Sequence, residues 1–101
     1  MGKPSKIKNI MYEVQKAIEK GNYLYVGHAN QRLQQRDVTR QEVKQVLKNG
    51  HNEKRKDEYK EEHNRWNYSI KGKTIDKRSL RVAVSFDSKN MLIITVIDLD
   101  K

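Results

Sequence analysis

The 101-residue sequence contains no cysteine, which excludes disulfides and cysteine-ligated zinc as sources of stability. That usage suits a reducing compartment, and a cytoplasmic location is expected. Long hydrophobic runs are missing too. The longest, Met91-Leu92-Ile93-Ile94, stops at Thr95 and falls far short of a membrane span. The N-terminal lysines are not followed by the apolar core of a signal peptide. There is no glycine-rich phosphate loop and no Gly-x-Ser-x-Gly elbow. His28, His51 and His63 lack the spacing of a zinc site, and neither repeats nor low-complexity linkers occur. What remains is a soluble single domain over 1–101, with no metal, cofactor or membrane expected. Only 35% of residues are hydrophobic, so its core must be compact.

Positive charge is abundant. The formal net charge is +9, and residues 1–27, 28–50 and 68–101 each contribute +3. Residues 51–67 balance five cations against five acids. The excess therefore belongs to the folded elements rather than to a tail. It favours a polyanionic partner, either nucleic acid or an acidic protein.

Apolar residues at Ile7, Ile10, Met11, Val14, Ala17 and Ile18 predict an amphipathic helix over 5–20, opened by Pro4-Ser5 and stopped by Gly21. Residues 23–26 read as a short strand, and Gly27 turns the chain into a helix over 28–36. Thr39 and Glu42 have capping-box spacing, and the helix they open ends at Asn49-Gly50. Residues 51–63 read as either a charge-protected edge strand or a mobile loop. Alternation around Trp66, Tyr68 and Ile70, and around Leu80, Val82, Val84 and Phe86, predicts two half-buried strands. Residues 87–90 form a hairpin turn. Residues 91–99, apolar on both faces apart from Thr95 and Asp98, predict the central strand. The fold class is α+β, with N-terminal helices packed on one face of a curled antiparallel sheet of about four strands.

The densest chemistry lies in the run from His28 to Arg36. His28, Arg32 and Arg36 recur every four residues and share one flank of a helix. At 100° per residue, Arg32 and Arg36 sit at about 40° and 80° from His28, beside the apolar positions Ala29 and Leu33. Arg36 is thus expected to be partly packed. An imidazole beside two permanent cations suits phosphodiester chemistry: His28 takes a proton from a ribose 2′-hydroxyl while arginines hold the phosphate. The products would be a 2′,3′-cyclic phosphate and a 5′-hydroxyl. The structural alternatives are that His28 caps its helix or packs on Tyr25, and that the arginines pair with Asp37 or Glu42. Arg81 projects from the sheet face opposite Leu80 and Val82, joined by Ser85 and Thr95, as either a substrate platform or a solvated surface. Trp66 and Tyr68 read as core or as base-stacking residues. Lys71, Lys73, Lys77 and Arg78 suit phosphate contacts or solvation.

His28-Ala29-x-x-Arg32-Leu33-x-x-Arg36, Val38-Thr39, Gly50, Leu80-Arg81-Val82 and Ile93-Ile94-Thr95-Val96 together resemble a group of small uncharacterised bacterial domains. That group is similar to the RelE/ParE-type toxins and the wider barnase/colicin-like ribonuclease fold. The resemblance covers residues 24–98. It implies a RelE-like fold and a metal-independent endoribonuclease, an mRNA interferase of a toxin–antitoxin or related toxin system. RNA, including ribosome-bound mRNA, would be the substrate, and an acidic antitoxin or immunity protein the partner. By resemblance His28, Arg32, Arg36 and Arg81 take the catalytic positions, and Thr95 a substrate-binding one. Tyr68 and Lys71 complete the candidate substrate-binding set. The competing expectations are a noncatalytic module binding RNA or an acidic protein, and a ParE-like toxin acting on a protein such as gyrase.

Overall fold

Ile10, Val14, Ala17 and Ile18 bury one stripe of the first helix, α1 (Ile10–Lys20). The computed structural model describes residues 2–100. α1 begins five residues later than its apolar pattern predicts, because the preceding segment is committed elsewhere. The Trp66 indole N–H donates to the Pro4 carbonyl at 2.9 Å, and the Ile7 amide donates to the Tyr68 hydroxyl at 2.9 Å. These two bonds strap residues 4–7 across a strand instead of winding them into helix. α1 stops at Gly21, whose left-handed backbone (φ 74°) lets the Gly21 and Asn22 amides close the last carbonyls.

β1 (Tyr23–Tyr25) leads into α2 (Ala29–Gln35), and α3 (Arg40–Asn49) follows behind the expected capping box, with the Thr39 hydroxyl and Glu42 carboxylate bonding reciprocally. Gly50 ends α3 in extended rather than left-handed backbone (φ −83°). A Cβ there would lie 2.5 Å from the Lys71 carbonyl oxygen and 2.6 Å from that of Val46. Close approach, not turn geometry, demands glycine. Gly50→Ala is expected to lower stability by about 1–3 kcal/mol, read from urea denaturation, since neither backbone oxygen can swing away.

Residues 51–63 resolve toward the edge-strand expectation. They form β2 (His51–Asn52), a 3-10 turn at Lys54–Lys56, β3 (Glu58–Lys60) and a second 3-10 turn at Glu61–His63. The organiser is Asp57, whose carboxylate side chain is 1% exposed. It accepts from the Ser69 amide at 2.9 Å, the Asn52 side chain at 3.0 Å and Lys6 Nζ at 3.1 Å. β2 and β3 pair with successive stretches of β4 (Arg65–Lys73).

With β5 (Ser79–Phe86) and β6 (Met91–Asp98), the sheet has six strands in the order β1-β6-β5-β4-β2, with β3 beside β4. The expected α+β fold is present, with more strands than the alternation alone predicts. β1 adds in parallel to β6, with Tyr23 opposite Met91, so β5 rather than β6 takes the middle of the order. One sheet face, carrying Ile70, Leu80, Val82, Val84, Ile93 and Val96, packs with Val14, Leu33, Val43, Val46 and Leu47 of the three helices. β6 is apolar on its other face for a different reason: Leu92 and Ile94 floor a cleft there. A register shift between Ala83 and Val84 leaves Ile94 as the extra residue of a β-bulge beside that cleft. Among the described residues, no helix is long and apolar enough to cross a membrane.

Arg78 locks the ends of these elements together. Its guanidinium donates to Asp98 Oδ2 at 2.9 and 3.2 Å, to both Glu42 oxygens at 3.2 Å, and to the Asp37 and Arg36 carbonyls at 2.7 Å. The hydrogen bond to Asp98 and the further pairing with Glu42 push its pKa up. This corrects the loop-cation expectation for Arg78. It also removes Glu42 as a partner for Arg32 or Arg36.

Candidate functional site

The turn after β1 and the helix it opens set the first wall of the cleft. Gly27 takes φ 58°, Ala29 is fully buried, and His28 is left exposed at the N-cap position of α2. The His28 side chain makes no capping bond. Its Nδ1 instead lies 2.8 Å from Gln31 Oε1, and when Nδ1–H donates in that contact Nε2 is left to face the cleft. The Arg40 guanidinium covers the Tyr25 ring at 4.6 Å. Burial pushes the Tyr25 hydroxyl up to about 12, against the opposing pull of Arg40.

His28 lines a cleft of about 760 Å³ on the sheet face away from the helix-packed core. Arg32 and Thr95, two of the residues singled out in the sequence, line it too. The cleft also collects Lys60, His63 and Arg65, which the sequence reading did not select. His63 is exposed in the turn before β4, at the base of a left-handed residue, Asn64 (φ 51°). Arg65 is half-buried, and its Nε is buried without a hydrogen-bond partner. Glu62 and Asp87 are the acids of the lining. Asp87 is committed to the β5–β6 turn, accepting from the Asn90 amide at 2.6 Å and the Lys89 amide at 2.8 Å. Those backbone bonds, with Arg65 assisting, hold its carboxyl below the usual range. Lys60 is paired with Glu58 at 3.0 Å, which raises its pKa.

The other expected site residues lie elsewhere. Arg36 is partly packed, as its position beside the apolar stripe predicts, but it closes α2 and does not line the cleft. Tyr68 is 4% exposed and belongs to the core, its hydroxyl held by the Ile7 amide. Its ring packs in the core rather than standing on the open face, although the residue borders a cavity there. Trp66 likewise packs against the core, with Lys6 over its ring at 4.7 Å. Lys71 pairs across β4 with Arg81 and with His51 of β2, at the far side of the sheet from β1.

Arg81 does project from the open face, yet its guanidinium is already held. Nε and Nη2 donate to the two Glu53 oxygens at 2.6 and 3.1 Å. The Ser69 hydroxyl donates to the same carboxylate, and the Ser85 hydroxyl is spent on the Trp66 carbonyl. Arg81 is therefore not a free phosphate ligand, because residues 51–57 carry a counter-ion onto its face. The Arg81 hydrogen bond, aided by Ser69 and by the fields of Arg81 and Lys71, lowers the Glu53 pKa from 4.5 to about 2. The carboxylate is thus stabilised in the folded state, and the contribution is complete above about pH 4.5 and fades as pH falls toward 2. Glu53→Gln is expected to lose about 1–3 kcal/mol at neutral pH and to show a shallower loss of stability on acidification. Urea denaturation at a series of acidic pH values measures both.

Among the described residues, no group of three or more His, Cys, Asp or Glu side chains is arranged to hold a metal ion. Comparison with curated proteins and with solved structures returns no match. A family model described as a domain of unknown function, DUF4258, matches residues 25–98, from the end of β1 through β6 and so including every residue of the cleft lining named above. The chain belongs to that family, DUF4258.

Proposed function

We propose that this domain is a toxin-like endoribonuclease that cuts RNA without a metal ion. The observation that carries the reading is the pairing of two exposed imidazoles, His28 and His63, with Arg32, Lys60 and Arg65 in one cleft over an aliphatic floor. Two imidazoles in one site supply a base and an acid for a single transfer. His28 Nε2 takes the proton of a ribose 2′-hydroxyl, and that oxygen bonds to the adjacent phosphorus. The bond from phosphorus to the 5′-oxygen breaks, and protonated His63 gives its proton to the leaving oxygen. Arg32 and Arg65 hold the phosphoryl oxygens as charge builds on them.

The cellular setting that suits this chemistry is the cytoplasm, with mRNA as substrate and an acidic antitoxin or immunity protein as the partner. The protein's +9 charge favours both polyanions. The test is to incubate the purified protein with RNA in chelator, with and without ribosomes, and to map the new ends. Fragments bearing 2′,3′-cyclic phosphate and 5′-hydroxyl groups are expected. Intact RNA that binds in a salt-sensitive way would leave a noncatalytic module. Growth arrest with RNA intact and a DNA-damage response would point to a protein target instead.

A further inference from the structure

The cleft does not end at Thr95. A second cavity of about 380 Å³ adjoins it, and Lys60, Asn67, Ile94 and Thr95 line both. The bulged Ile94 thus forms a shared sill between them. Beyond the sill the floor continues with Ala83 and Ile97, and Lys56 and Arg81 stand at the far wall. The two spaces make one groove across the open sheet face, running from α2 toward the β2–β3 segment.

We propose that this groove seats two successive nucleotides of a single-stranded RNA, with the reacting phosphate at the His28 end and the neighbouring nucleotide past Ile94. The inference deepens the endoribonuclease reading and rests on it for the placement of the phosphate. Three observations carry it. The floor is largely aliphatic, with Leu92, Ile94, Ala83 and Ile97 interrupted by Thr95, which suits the flat, weakly polar faces of unpaired bases. Arg32 on α2, and Lys56 and Lys60 on the segment before β4, flank the floor where a backbone would pass. Asn67 is half-buried at the junction, and its carboxamide makes no hydrogen bond among the described residues. It offers donors and an acceptor to a base edge. Glu58 limits the charge of the far wall, and Arg81 there is already neutralised by Glu53. The second seat is therefore selected by apolar contact more than by charge.

Non-cleavable 2′-O-methyl oligonucleotides test this by fluorescence anisotropy. The wild type is expected to bind a dinucleotide about tenfold more tightly than a 2′-O-methyl mononucleoside 3′-phosphate. Ala83→Trp fills the second cavity without reaching His28, and should erase that gain while leaving mononucleotide affinity unchanged. Exposed Lys56→Glu, which carries no packing risk, should shrink the gain as well. Equal affinity for the two lengths, or a full gain retained in both variants, overturns the second seat. Length dependence without any RNA cleavage by the wild type keeps the groove and removes the enzyme. Cleavage without length dependence does the reverse.

Discussion

Replacing either His28 or His63 by alanine is expected to slow RNA cleavage by about 10²–10⁴-fold, and the double substitution to cost little more than the worse single one. In the proposed mechanism the two rings serve one transfer, so losing the acid strands the base and the converse. Both side chains are exposed, so the thermal midpoint should stay at the wild-type value in all three variants. His51→Ala is the matched control, because His51 sits on β2 outside the cleft. Initial rates on a fluorogenic RNA measure the effect. A fully active His63→Ala beside an inactive His28→Ala would remove His63 from the mechanism. Losses that simply multiply would show that the two rings act separately.

Arg78→Met should be the most destabilising single substitution of a charged residue, at about 3–5 kcal/mol. The guanidinium serves two carboxylates and two backbone carbonyls. Asp98 is 3% and Glu42 15% exposed at the side chain, so removing the cation leaves two poorly hydrated anions facing each other's field. A fall in thermal midpoint of at least about 12 °C is expected for a domain of this size. Arg78→Lys should recover only part of it, since an ammonium keeps the charge but cannot reach four acceptors in one plane. Calorimetry on both variants decides. A midpoint within about 3 °C of wild type for Arg78→Met would show that the network is incidental.

Local signals carried much of this fold. The Thr39–Glu42 box, the apolar stripe of α3 and the alternation of β4 and β5 all depend on nearest neighbours, and all occur where the pattern places them. The start of α1 was not legible, because bonds to residues some sixty positions away displace it. The cleft was half legible. His28, Arg32 and Thr95 follow from helix and strand parity, and the same parity on β4 already puts Arg65 and Asn67 on the face of Arg81. His63 lies beyond the left-handed Asn64, where parity no longer counts faces. Nor could periodicity disclose that Glu53 claims Arg81, since residues 51–57 have no repeat and fold around one buried carboxylate, Asp57.

The parallel pairing of β1 has a consequence for the order in which the protein is made. β1 pairs with no strand other than β6, the last strand in the described chain, and Tyr23 must wait for Met91 before it is anchored. His28 hangs from the end of β1, and Thr95 lies within β6. A nascent chain emerging from the ribosome can form the helices and pair β4 with β5, yet it has no cleft until its final strand arrives. If the domain cuts RNA, the nascent polypeptide has no complete site while β6 is still to emerge, and becomes competent only afterwards.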